Sequence, residues 1–243
     1  MVRRHTGTCS QVGSRYDPQK HRRNFDSLQL TRSSLIAQHL ACTQTDILID
    51  CFSGVGGNTI AFARSGKWGT IIAIEENEAA MDCAKHNARL YGVADRITWV
   101  LGDCFEVLAR ETQWHGSHAL IFASPPWGGN SNDFQSSKRP SDLPILELGP
   151  GYRTDSIFNL LTMQPYNLFH LLSTLRTCTL RIVLYLPRTS DIRQLAHCAD
   201  TSERIPIIHY CMEGASKVSR YKWMQNISNE QAVCAYFGAS YKN

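Results

Sequence analysis

The stretch Asp50-Cys51-Phe52-Ser53-Gly54-Val55-Gly56-Gly57-Asn58-Thr59 decides the fold. Ahead of it, residues 46–50 read Asp-Ile-Leu-Ile-Asp, a short apolar run of the kind that forms a buried strand. Behind it, a helical pattern starts near Gly57 or Asn58 and runs to about Arg64. A glycine-rich turn between strand and helix lets a ligand meet bare backbone amides at a helix N-terminus. The same glycines also serve where a helix packs tightly on a strand, so both uses stand open at this point.

On either side of this unit the pattern repeats. Residues 70–75 predict a strand, 78–91 a helix ended by Gly92, 97–101 a strand, 105–110 a weak helix and 119–123 a further strand. Upstream, Thr31 can cap a helix over 31–40 that carries Leu35, Ile36, His39 and Leu40 on one face. Four β/α repeats predict an α/β fold with a mostly parallel sheet covered on both faces, and its ligands at the carboxyl ends of the strands. Residues 124–155 form a long loop rich in Pro, Gly, Ser and Asn, a length that usually goes with function or disorder. A helix over 164–176, a strand over 181–186, a helix over 191–199 and two late strands, 205–211 and 231–237, complete the prediction. Residues 1–30 read as a basic N-terminal extension, and 31–243 as one domain.

Three successive strands end in an acid. Asp50 closes the first, Glu75 the second and Asp103, followed by Cys104 and Phe105, the third. Singly, each reads as easily as a surface carboxylate. Together on one edge of a sheet they form a cradle for a nucleoside: Glu75 for the two hydroxyls of a ribose, Asp103 for an adenine amino group with Phe105 near the ring. The turn lacks the Gly-x-Gly-x-x-Gly order that seats a pyrophosphate, and Asp50 suits a charged amino group. The layout resembles the class I S-adenosylmethionine (AdoMet) dependent methyltransferases.

The fourth strand runs into Ser124-Pro125-Pro126-Trp127-Gly128-Gly129. This resembles the Asn/Asp-Pro-Pro-aromatic motif of enzymes that methylate amino groups conjugated to a ring. The lone pair of such an amine is spread into the ring, so positioning is most of the catalysis. The Ser124 hydroxyl and Pro125 carbonyl can accept the two amine hydrogens on stiff backbone, and Trp127 can stack the base. No strong general base is needed, because the methylated amine turns acidic and sheds its proton late. The nine histidines lack metal-site spacing and read as packing or surface groups. Tryptophan favours a cationic base, and 7-methylguanine is one.

These residues resemble the trimethylguanosine synthase family, which acts on the guanine N2 of 7-methylguanosine RNA caps. Besides the turn and Ser124 to Gly129, the resemblance rests on Ala88 to Ile97, on Gly102-Asp103, on Leu186-Pro187-Arg188-Thr189-Ser190-Asp191-Ile192 and on Ala235-Tyr236-Phe237-Gly238. It implies a Rossmann-like fold with seven strands, the last antiparallel. It also implies AdoMet as cofactor, held by Asp50, Ser53, Gly54, Gly56, Asn58, Thr59, Glu75, Asp103 and Cys104. Ser124, Pro125 and Trp127 would be the catalytic set, with Pro126 beside them on the guanine. Arg188 would meet the cap triphosphate, as a guanidinium suits phosphate oxygens. Glu75 stands where the family usually has aspartate. A lysine expected just before the first strand is absent at 43–45, and Lys20, Arg22 and Arg23 are the substitutes the sequence offers for phosphate contacts.

Bulk properties agree. The chain has 243 residues, 43% hydrophobic and 19% charged, as an ordinary globular protein does. Its formal charge of +4 permits a polyanionic partner, with cations crowded into the first 25 residues. Nine cysteines without a Cys-x-x-Cys pair read as reduced core thiols, and no apolar run matches a membrane span. A soluble intracellular protein, nuclear or cytoplasmic, is expected, monomeric, without metal, its partner 7-methylguanosine-capped RNA. Two alternatives remain at this level: methylation of another conjugated amine, such as adenine N6 or an internal guanine N2, and a non-catalytic RNA-binding module on the same fold.

Overall fold

The computed structural model describes residues 30–43, 46–126, 157–187, 189–199, 205–211 and 230–242. Residues 1–29 of the expected N-terminal extension therefore lie outside the described residues, as do Trp127, most of the long loop and Arg188.

Thirteen elements position the site. They are α1 (Leu30–His39), β1 (Ile47–Asp50), α2 (Gly57–Ser65), β2 (Thr70–Glu75), α3 (Glu78–Leu90), β3 (Ile97–Leu101), α4 (Cys104–Arg110), β4 (Ala119–Ala123), α5 (Leu168–Leu175), β5 (Ile182–Pro187), α6 (Ile192–Ala196), β6 (Ile207–Cys211) and β7 (Glu230–Phe237). The seven strands form one sheet in the order β3-β2-β1-β4-β5-β7-β6. Every pairing from β3 through β5 is parallel, and β7 runs antiparallel to both its neighbours. The seven-stranded, mostly parallel sheet with an antiparallel last strand is as predicted.

Alternating side chains of these strands feed two cores. Leu48, Phe122, Val183 and Tyr236 pack on one face with Ile36 and Leu40 of α1, Ile60 and Phe62 of α2 and Ala88 of α3. Ile49, Ile121, Ile182 and Ala235 pack on the other with Val107 and Leu108 of α4, Leu171, Leu172 and Leu175 of α5 and Leu195 of α6. Strands with helices on both faces have no wet side, which is why β4 reads Ala-Leu-Ile-Phe-Ala and is buried throughout.

Two predicted helices are shorter than expected. The one predicted over 164–176 begins only at Leu168, because the Asn167 side chain caps it by accepting the His170 amide, and the chain turns at Pro165 before that. The one predicted over 191–199 covers Ile192–Ala196, with Asp191 as its cap. Thr31 is not a cap, since α1 already includes Leu30.

Strand order reverses between β1 and β4: the chain proceeds from β1 outward to β2 and β3, then returns to β4 on the other side. Such a switch point opens a crevice at the carboxyl ends of the two central strands. Asp50 ends β1, and Ser124 follows β4 directly, so the crevice is flanked by two of the predicted site residues.

Candidate active site at the carboxyl edge of the sheet

The turn after β1 is tied down by four hydrogen bonds, to β4, β2 and α3. The Cys51 amide donates to Phe122 O of β4 (3.0 Å), and the Ser53 amide to Ile74 O of β2 (3.0 Å). The Gly54 amide donates to Glu75 Oε2 (2.8 Å), and Asn87 Nδ2 of α3 to Val55 O (3.0 Å). Gly56 then starts α2 at φ 89°, a left-handed conformation that costs L side chains energy. A Cβ there would also lie 3.1 Å from Ala84 Cβ of α3. Gly54, at φ 53°, shapes the turn, and Gly56 both makes the turn and permits close packing, of α2 against helix α3 rather than against a strand.

Asp50 lies at the floor of this turn and is 0% exposed. Its Oδ2 accepts the Thr59 hydroxyl at 2.6 Å, while Oδ1 is buried without a hydrogen-bond partner. Burial pushes its carboxyl up to about 7, against the opposing help of the Thr59 hydroxyl and the Phe52 amide. The Ser53 hydroxyl, on the same turn, is likewise buried and unpartnered. Two buried oxygens without partners on one turn are unusual in a folded protein, and a ligand bearing hydrogen-bond donors would answer them.

The two other carboxylates are already engaged. Glu75 holds the Gly54 amide with Oε2 and the Asn77 amide with Oε1 (3.0 Å), so it locks the glycine turn to the end of β2 while each oxygen keeps a further lone pair. Asp103 caps α4, its Oδ1 accepting the amides of Phe105 (2.8 Å) and Glu106 (3.0 Å). Its Oδ2 accepts the Tyr166 hydroxyl at 3.1 Å. Cys104 is buried at the first position of α4.

Ser124 joins the two halves of the site. Its hydroxyl donates to Phe52 O of the glycine turn at 3.2 Å. With its proton committed there, the Ser124 oxygen presents only lone pairs to anything else, which is what an amine donor requires. Pro125 is buried and Pro126 exposed, so the chain emerges from the core at this pair.

Asp50, Ser53, Gly54, Gly56, Glu75, Asp103, Cys104 and Ser124 thus share the carboxyl edge of the sheet. Thr59 works beneath them, and Asn58 accepts the Ser33 hydroxyl of α1 (2.8 Å), tying α1 to α2. Trp127, Arg188, Lys20, Arg22 and Arg23 lie outside the described residues. The sequence reading missed Tyr166, which reaches Asp103 from a turn 63 positions away, a distance no local pattern bridges. Among the described residues no group of His, Cys, Asp or Glu could hold a metal ion, and no helix is long and apolar enough to cross a membrane.

Comparison with known proteins bears on the same residues. Trimethylguanosine synthase of Schizosaccharomyces pombe is 28% identical over 195 residues, 80% of this chain and 66% of that protein. Trimethylguanosine synthase of Saccharomyces cerevisiae is 26% identical over 150 residues, 61% of this chain and 41% of that protein. The chain thus matches less than two thirds of the length of either relative. Among solved structures, a SAM-dependent methyltransferase from Agrobacterium tumefaciens superposes with a TM-score of 0.52 at 13% identity, covering 87% of this chain and 62% of that one. A Porphyromonas gingivalis W83 structure carrying a methyltransferase designation gives 0.53 at 15% identity, covering 94% and 44%. At such identities these two establish the fold, a class I methyltransferase architecture. The sequence profile of a family described as RNA cap guanine-N2 methyltransferase matches residues 45–138 and 146–226, which include β1 through β4, the Ser124 segment and β5. With most of the chain and nearly all of the sheet edge inside that match, this protein belongs to the RNA cap guanine-N2 methyltransferase family.

Proposed function

We propose that the protein transfers a methyl group from AdoMet to the exocyclic N2 amine of 7-methylguanosine RNA caps. Bound AdoMet supplies an electrophilic methyl on a sulfonium. On this reading the unpartnered Asp50 Oδ1 and Ser53 Oγ serve its amino-acid end, directly or through water. Glu75 takes the ribose hydroxyls with its spare lone pairs, and Asp103 takes the adenine amine. Ser124 Oγ and the Pro125 carbonyl accept the two hydrogens of guanine N2 and so aim its lone pair at the methyl. Nitrogen forms the new bond to carbon, the pair of the carbon–sulfur bond stays on sulfur, and the amine proton leaves to water.

Trp127 stacks the cationic 7-methylguanine, with Pro126 stiffening the approach. Arg188 and the cationic cluster Lys20, Arg22 and Arg23 take the cap phosphates. The observation that carries the proposal is the Ser124 to Phe52 hydrogen bond, which fastens the acceptor segment to the cofactor turn and leaves Ser124 an acceptor only.

Mass analysis of products from 7-methylguanosine diphosphate and AdoMet, at short and long times, tests it. One or two added methyls are expected, and guanosine diphosphate, which lacks the ring charge, should react poorly. No product from 7-methylguanosine diphosphate, with methylation of an internal RNA or DNA amine instead, would replace this reading with the first alternative; cofactor binding no tighter than that of an Asp50→Ala variant would favour the binding module.

A further inference from the structure

Tyr166 belongs to no motif, yet its side chain hydrogen-bonds an expected cofactor carboxylate. It sits in the turn before α5, and its hydroxyl donates to Asp103 Oδ2 (3.1 Å). Its ring is held on three sides: edge-on to Phe105 at 4.6 Å between centroids, tilted against Phe52 at 6.5 Å, and stacked with His170 at 5.9 Å. These contacts fix where the hydroxyl points. Burial, together with the hydrogen bond to Asp103, pushes the phenol up to about 12, so it remains a donor throughout the neutral range.

A carboxylate offers roughly four lone-pair positions. The Phe105 and Glu106 amides take those of Oδ1, and Tyr166 takes one of Oδ2, which leaves one. A single remaining acceptor of fixed direction selects a donor. An adenine 6-amino group offers one; a 6-oxo purine would oppose its own oxygen to the carboxylate.

Resting on the cofactor reading above, we propose that Tyr166 is a positioning residue for adenine recognition. By holding Asp103 Oδ2, it sets the remaining lone pair to accept the adenine 6-amino group, and with Phe52 and Phe105 it forms the aromatic wall of the base pocket. It thereby contributes to discrimination of 6-amino from 6-oxo nucleosides.

Titration of the whole chain with S-adenosylhomocysteine and with S-inosylhomocysteine, its 6-oxo analogue, separates this role from a structural one. Wild type should prefer the adenosyl compound. Tyr166→Phe, which removes only the hydroxyl, should weaken that compound about five-fold and leave the inosyl compound unchanged, narrowing the ratio. Asp103→Asn keeps an acceptor for the helix cap and should narrow the ratio as well, with Tyr166→Phe adding nothing on top of it. A ratio unchanged in Tyr166→Phe overturns the proposal while leaving the cofactor reading intact, whether both affinities fall or neither does. Failure of wild type to bind either compound overturns the cofactor reading, and this proposal with it.

Discussion

The carboxylate at the end of β1 and those at the ends of β2 and β3 occupy one edge of one sheet, yet their surroundings are opposite. Glu75 and Asp103 are partly exposed, and each already accepts backbone amides. Asp50 is sealed, bonded through one oxygen to Thr59 and through the other to nothing. An acid that must meet neutral donors can be built into the local backbone first, because a hydroxyl or an arylamine needs only a spare lone pair. An acid that must meet a cation gains more when the dielectric around it is low and one of its oxygens is left open. Burying Asp50 costs the empty protein stability, and a bound ammonium would return it.

Replacing the charge breaks that contrast most sharply. Asp50→Asn keeps shape and one acceptor but loses the ion, and should weaken S-adenosylhomocysteine by about ten- to hundred-fold in calorimetry. Its thermal midpoint at neutral pH should stay within a few degrees. Loss of affinity no greater than that of a surface substitution would remove Asp50 from the site.

A pH profile gives the next largest effect. Because the Asp50 carboxyl in the folded, ligand-free protein is raised to about 7, its contribution to stability is fully present below the ordinary carboxylate range and is lost as pH rises through about 7. Cofactor binding has the reverse sign, since the amino group selects the ionised form. Affinity for S-adenosylhomocysteine should therefore be about ten-fold lower at pH 6 than at pH 8, and flat in Asp50→Asn. Methylthioadenosine, which lacks the amino-acid end, should show no such slope.

Glu75→Gln should have the smallest effect. One amide oxygen can still receive the Gly54 or Asn77 amide, so a loss of about five-fold in affinity is expected with the turn intact. A loss as large as that of Asp50→Asn would erase the distinction between the two kinds of carboxylate.

Much of this edge was legible because each acid ends a strand, and strand ends are set by apolar runs such as Ile-Leu-Ile before Asp50 and Thr-Ile-Ile-Ala-Ile before Glu75. What was not legible came from contacts between distant segments. That Asp50 would be sealed depends on how β1, β2 and β4 flank it, and the double duty of Gly56 appears only once Ala84 lies 3.1 Å from its missing Cβ. The helix predicted from 164 begins only at Leu168, because the Asn167 cap decides the boundary. Tyr166 falls inside the helix predicted over 164–176, and its contact with Asp103 joins segments 63 positions apart.

On the proposed function, one edge of the sheet holds two separable halves, a cofactor cradle ending at Glu75 and Asp103 and an acceptor clamp beginning at Ser124. Trp127→Ala tests it most directly, with S-adenosylhomocysteine affinity measured by calorimetry beside turnover of 7-methylguanosine diphosphate. Affinity within about three-fold of wild type and no detectable turnover are expected, because an indole that only stacks the base contributes nothing to the cofactor. A parallel collapse of both, or turnover that survives, would contradict it.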